Sequence, residues 1–185
     1  TFYHEGYVSE SDKRTRATRN LEMLLHDLEQ KGPSSYIYFQ LGQNYISLND
    51  MKKAAHYYKL GLDLNADPNS AFVQSMAETY GYCLMDLAKY DLAMSLKDKY
   101  EQFSHRADFV YLMGTIYMKK GIYDKAIEEF QKATTLSAYS RTGVNSYRAN
   151  YHIANIYETM GQPDEAKIYY KKCCDYEPAK RTLKE

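Results

Sequence analysis

Apolar positions along the chain follow helical spacing, and the spacing itself recurs. Small residues come in pairs twelve apart: Gly42 with Ala54, Gly81 with Ala93, Gly114 with Ala126, and Ala154 with Ala166. The pairs are offset by 39, 33 and 40 residues, which is one period of about 34 with two short insertions. Other positions keep register with them. Tyr45, Leu84, Tyr117 and Tyr157 stand three after the first small residue, and Asn49, Ala88, Gly121 and Gly161 seven after it. Tyr58, Lys97, Phe130 and Tyr170 stand four after the alanine, and Gly61, Tyr100, Ala133 and Cys173 seven after it. The pattern predicts four helix-turn-helix units. The small residues let two backbones approach, the rings fill the groove between them, and the turn position adopts a left-handed conformation.

This is the tetratricopeptide repeat (TPR) signature. The stretch YLMGTIYMKKGIYDKAIEEFQKA is nearly a consensus copy. The expected fold is all-α: a TPR superhelix, or α-α solenoid, preceded by a capping helix. The repeats fall at 34–68, 71–105, 107–139 and 147–178. A single pair of helices cannot bury its apolar face alone, so neighbours must stack. Repeat two departs from the pattern, with Lys97 where a ring is expected and Tyr100 where a small residue is expected. The packing of its second helix is therefore in question. Asn65 to Ser70 and Ser137 to Ser146 are the insertions. Asp67, Pro68 and Asn69 make a turn, and SAYSRTGVNS reads as a surface loop.

Residues 11–31 form one further helix, a linker and cap for the first repeat. Leu21, Leu24, Leu25 and Leu28 share a face, Ser11 is the expected N-cap, and Lys31-Gly32-Pro33 is the stop. Lys13, Arg14, Arg16 and Arg19 read as a solvated face. The tail at 179–185 is too short for a sound cap, so the last repeat is expected to present Ile168, Tyr169 and Tyr176 to a second copy or to a further segment.

Composition narrows the function classes. The 24 Lys and Arg balance the 24 Asp and Glu, which disfavours nucleic acid as a partner. No apolar run reaches the ~20 residues that span a bilayer, and a cytoplasmic location is expected. Tyrosine is unusually common at 21 copies, with no tryptophan, as suits helices packed by rings with polar tips. Cys83, Cys173 and Cys174 make no disulfide framework and read as small apolar side chains.

The first ten residues alternate aromatic and polar types. The segment YHEGY, the basic stretch after it, Arg19-Asn20 and then Leu24-Leu25 resemble a junction in bacterial family-two glycosyltransferases. There a GT-A catalytic domain ends in a His-x-Gly-Tyr segment, and a basic helix and TPR units come after it. The resemblance implies that residues 1–10 end an absent catalytic domain. It also implies that the parent uses a nucleotide-sugar donor with a divalent metal (Mn or Mg), and that His4 is a metal ligand in that parent. An ordinary strand histidine is an equal reading of His4.

Within the chain itself no catalytic residue is expected. The other histidines lie on different repeats, and there is no HExxH, GxSxG or phosphate-cradling glycine loop. Helical spacing points a set of first-helix residues towards a concave face: Tyr36, Phe39, Gln43 and Ile46, then Glu78, Tyr82 and Met85. Repeat three contributes Tyr111, Thr115 and Met118, and repeat four Tyr151, Asn155 and Glu158. For each of them, packing between repeats is an equal alternative. Aromatic, Met and polar side chains together suit an extended peptide or a helix. The carboxylate-gripping type of TPR groove is not expected, because Phe39 and Gln43 fill its first two places and only Arg148 and His152 hint at the basic pair. The main expectation is an accessory glycosyltransferase domain that binds an acceptor, a partner protein or a second copy. The alternative is a free-standing TPR adaptor for a peptide or helix.

Overall fold

A computed structural model of the chain describes residues 10–182, which are helical throughout apart from turns and loops, with no strand among them. The chain divides into two compact units, 1–87 and 88–185. In the first, α1 (Glu10–Lys31) precedes the pair α2 (Ser35–Ser47) and α3 (Met51–Asp63), and α4 (Ala71–Asp86) packs on that pair. Helix α1 runs through Ser11 instead of being capped by it. It buries Ala17 and Leu21 and half-buries Leu24, Leu25 and Leu28.

The small-residue slots work by direct contact. A Cβ on Gly42 would overlap the Tyr58 ring, which lies flat against the α2 backbone. At Gly61 the same construction would stand 2.5 Å from Met76 Sδ of α4. Leu41, Ala54, Met76 and Ala77 are fully buried around these contacts. Asp50 caps α3 by accepting the Lys53 N–H at 3.0 Å.

The second unit opens with the aberrant second helix of repeat two. It forms no continuous helix but three short pieces: α5 (Tyr90–Ala93), a 3₁₀ segment (Met94–Lys99) and α6 (Tyr100–Phe103). The cause is legible in the departures of this repeat from the pattern. Tyr100 fills the slot that Gly61 fills in repeat one, so a straight helix cannot seat closely on the next one. Instead its ring turns to Phe109 at 6.2 Å, and its hydroxyl donates to Glu129 Oε2 at 2.5 Å. The buried side chain is Leu96, one position before the aligned Lys97, as a tighter helical turn after Ala93 allows.

The remaining pairs are regular: α7 (Ala107–Lys119) with α8 (Tyr123–Thr135), and α9 (Tyr147–Thr159) with α10 (Pro163–Lys171). Phe130 packs on Gly114, where a Cβ would come within 2.9 Å of the ring. The tail expected to be too short for a cap folds as α11 (Glu177–Thr182). It sets Ala179, fully buried, into a cluster with Ala154, Ala166, Tyr170 and Cys173.

The insertion between α8 and α9 is less loose than its polar sequence suggests. Asp108 is fully buried at the start of α7. Its carboxylate accepts the Ser140 N–H at 2.6 Å and the Arg141 N–H at 2.9 Å. Arg106 reaches the same carboxylate at 3.4 Å and donates to Ser140 Oγ at 2.6 Å. One acid thus organises a loop 32 residues away. In Asp108→Asn the amide group cannot accept both N–H bonds. The loss is expected to be about 2–3 kcal/mol, or roughly 5–10 °C in Tm. An unchanged melting curve would show that the loop is held otherwise.

All four turn positions are left-handed: Asn49 (φ 61°), Ala88 (φ 54°), Gly121 (φ 72°) and Gly161 (φ 72°). Ala88 carries a side chain in a region that costs an L-residue about 1 kcal/mol. Nothing crowds a Cβ at Gly121, so only the backbone angle resists one there. Ala88→Gly is therefore expected to stabilise by about 1 kcal/mol and Gly121→Ala to destabilise by about as much. Urea unfolding of the two variants checks this, and effects of equal sign would contradict it.

Candidate functional site

In the first unit α1, α2 and α4 border an open cavity of about 550 Å³ lined by Asn20, Gln43, Asn44, Ile46, Ser47, Tyr58 and Thr79. A second, of about 330 Å³, shares Asn20, Gln43 and Asn44 and adds Met23, Leu24 and Gln40. Tyr58 comes from α3. Helical spacing in the sequence places Gln43 and Ile46 at this face. It does not bring in Asn44 and Ser47, the next positions on α2, nor Asn20 and Thr79, which converge from α1 and α4. The amide-rich run Gln40, Gln43, Asn44 is the one local signal.

The cavity is neutral. None of its lining side chains carries a charge, and burial pushes the Tyr58 phenol far above its usual ionisation range. Asn44 Nδ2 donates to the Gln40 carbonyl at 2.8 Å, and Thr79 Oγ1 to the Ser75 carbonyl at 2.7 Å. Both side chains keep acceptor capacity beyond these bonds.

The other candidates in this unit divide by exposure. Tyr36 is half exposed, with its ring edge-on to Phe72 at 5.4 Å. Phe39 is buried between Tyr58 and Phe72. Glu78 is buried, and Tyr82 and Met85 are half-buried.

The second unit uses its candidates differently. Tyr111 is buried, with its ring edge-on to Phe130 at 5.3 Å. Thr115 bonds back to the Tyr111 carbonyl at 2.9 Å, and Met118 is half-buried. Tyr151 packs on Tyr170 and Tyr176. Asn155 Oδ1 and Glu158 Oε2 lie 2.7 Å and 2.6 Å from the Tyr170 hydroxyl, whose one proton serves one acceptor at a time. Burial first, and then the bond to Glu158, hold that phenol neutral.

His152 is stacked on Phe130 at 5.1 Å and flanked by Tyr111 and Tyr151. Its Nδ1 is sealed from solvent without a partner. Burial, and then the nearby Lys119 and Arg148 cations, lower its pKa to about 4. A neutral imidazole brings no charge to a carboxylate. Cys83 and Cys173 are buried, and burial pushes both thiols up to about 11, while Cys174 is exposed. Among the described residues no three His, Cys, Asp or Glu side chains are grouped to hold a metal ion. No described helix is long and apolar enough to cross a membrane.

The tetratricopeptide repeat family model matches residues 35–68, 107–139 and 147–180, more than half of the chain. The chain belongs to the tetratricopeptide repeat family. The matched TPR stretches leave out the segment whose second helix is broken. Solved TPR structures align over nearly the whole length. A crystal structure of MamA is 23% identical, covers 98% of this chain and 99% of its own, and has a TM-score of 0.74. MamA (41-end) from Desulfovibrio magneticus RS-1 is 19% identical over 95% of this chain and 96% of its own, with a TM-score of 0.70. YrrB, described as a TPR protein with an unusual peptide-binding site, is 18% identical over 92% of this chain and 85% of its own, with a TM-score of 0.75. At these identities the likeness shows the fold, an α-solenoid of TPR units. No curated protein matches.

These matches overturn the glycosyltransferase resemblance. The structures aligned over 92–98% of this chain are MamA and the TPR protein YrrB, and none of them is a glycosyltransferase. Basic residues before a TPR array are compatible with an ordinary first helix: Arg14, Arg16 and Arg19 lie on the exposed side of α1. The expected nucleotide-sugar, divalent metal and glycan acceptor lose their basis with it. His4 and YHEGY lie outside the described residues.

The environment of His152 has a consequence for stability. Its folded pKa lies below the ordinary 6.5, so between pH 6.5 and about 4 the unfolded chain takes up a proton that the folded chain refuses. Stability is full above pH 6.5 and falls as pH drops to about 4, by on the order of 3 kcal/mol. His152→Phe keeps the ring stack and should flatten that stretch of the pH profile. Urea midpoints across this window check it, and an identical slope in the variant would refute it.

Proposed function

We propose that this chain is a protein-interaction module that binds a segment of polypeptide, without chemistry of its own. The observation that carries the reading is the open, water-accessible cavity between α1, α2 and α4 in a chain of the TPR family. First-repeat helices border it, and its lining mixes hydrogen-bonding groups with the apolar edge of Ile46, as peptide grooves do. The description of YrrB as peptide-binding supports the same class of ligand for a similar fold. Polypeptide also suits the exposed rings and Met nearby, Tyr36 and Met23, which can accept a partner's apolar side chains.

The reading of the chain as an adaptor replaces that of an accessory arm for sugar transfer. The experiment is affinity selection of a random peptide library on the folded chain, with calorimetry on the selected peptides. Saturable one-to-one binding is expected. Failure to select any peptide that binds above background would overturn the proposal.

A further inference from the structure

Three positions after each small residue a unit carries a further pair, one residue on each helix. Repeat two has Leu84 and Leu96 there, and repeat three has Tyr117 and Glu129. Repeats one and four place two tyrosines, Tyr45 with Tyr57 and Tyr157 with Tyr169. Repeat three, the near-consensus copy, folds into a regular helix pair with no second ring at this place. A tyrosine pair is therefore not a requirement of the fold.

The two pairs differ in geometry. In repeat one the rings are parallel to within 4°, with centroids 5.4 Å apart. Tyr45 is buried and Tyr57 half-buried. Burial first, and then Tyr45, raise the Tyr57 pKa, the neighbour acting through charge and through a hydrogen bond between the phenols. The two hydroxyls lie side by side, and in parallel rings so do the carbons next to them. In repeat four the rings are inclined at 26° and 5.5 Å, and the Tyr169 hydroxyl accepts from Gln131 Nε2 at 2.8 Å. There Tyr169 acts on the Tyr157 phenol through charge without a hydrogen bond. Tyr38 brings a third ring to the first cluster, 6.1 Å from Tyr57 but inclined at 34°.

Parallel phenols in contact have a reaction of their own. A phenol that loses an electron and its hydroxyl proton becomes a phenoxyl radical, with unpaired spin on the carbons beside the oxygen-bearing one. Two phenoxyls held together couple at those carbons. A C–C bond forms, the hydrogen on each coupled carbon moves to its own phenol oxygen, and both rings regain aromaticity. In all, two electrons and two protons leave. Hydrogen peroxide with a haem peroxidase takes up both electrons and both protons and yields two molecules of water. The Lys53 ammonium, 5.2 Å over the Tyr45 ring, opposes a positively charged ring, so that electron leaves together with its proton.

We propose that Tyr45 and Tyr57 are a site of oxidative modification, where a one-electron oxidant joins the two rings as dityrosine and staples α2 to α3. The link closes a loop of chain between residues twelve apart, and it constrains the unfolded chain as a disulfide does. The site is separate from the peptide-binding reading, since none of its residues lines either cavity.

The test is mild oxidation of the whole chain, kept dilute, with hydrogen peroxide and a haem peroxidase, followed by peptide mapping. A monomeric product lighter by two hydrogen atoms is expected, with the blue fluorescence of dityrosine and a cross-linked peptide that joins Tyr45 to Tyr57. Its Tm should exceed that of the unoxidised chain by roughly 5–10 °C. Tyr45→Phe and Tyr57→Phe keep the stacked rings but form no phenoxyl at that position. Each should give the parent's helical circular dichroism before oxidation and lose the cross-linked peptide after it. Dityrosine that maps to Tyr157 and Tyr169 instead, or that joins only separate chains through the exposed Tyr36 and Tyr139, would overturn the inference. So would an intramolecular link that survives in both Phe variants, or no link under conditions that couple free N-acetyltyrosine. Peptide selection uses the unoxidised chain, so the two proposals stand or fall separately.

Discussion

Everything in the structure depends on an aromatic ring lying against a backbone that has no side chain in the way. Tyr58 on Gly42 and Phe130 on Gly114 are the same interlock made twice. In these two units it joins the helices at a separation that leaves no room for a Cβ at the glycine, and the surrounding apolar side chains are sized to that separation. Because protein interiors are packed to crystal-like density, such a contact cannot be relaxed gradually. Repeat two shows the effect of filling a slot with a residue of the wrong size. With Tyr100 in place of a small residue, the chain abandons a regular helix and finds its core with Leu96 and Phe103 instead.

The interlock also leaves one end of the ring open to variation between repeats. Once the ring is seated, its outer atom is free to vary. Phe130 ends in hydrogen, Tyr170 ends in a hydroxyl tied to its own helix pair, and Tyr58, which lines the cavity of the first unit, ends in a hydroxyl. Burial keeps both tyrosines neutral, so the difference between them is one of partners and not of charge.

Much of the architecture was legible in the amino-acid sequence because it is periodic. The paired small residues, the rings four positions on, and the turn positions occupy the structure as their spacing requires, even where the turn residue is Ala88. What escaped was aperiodic. Asp108 organises a loop that shares no pattern with it, and a buried acid cannot be told from a solvated one by spacing. Ala179 turns an apparent tail into a helix because a pocket of small residues awaits it. The cavity is assembled from Asn20, Gln43, Tyr58 and Thr79, four residues on four helices, and periodicity on any one helix cannot reveal it. The basic stretch before the first repeat misled for a related reason: a local motif carries little weight against the fold of the whole chain.

The two adjacent cysteines end the chain's last repeat in opposite states. Cys173 is buried and donates to the Tyr169 carbonyl at 3.3 Å, its thiol held protonated, while Cys174 sits outside at a left-handed turn (φ 52°). With Cys83 also buried, the folded chain presents one thiol to reagents in solution. A maleimide dye would therefore mark a single defined point, the turn after α10, with no cysteine removed by mutation.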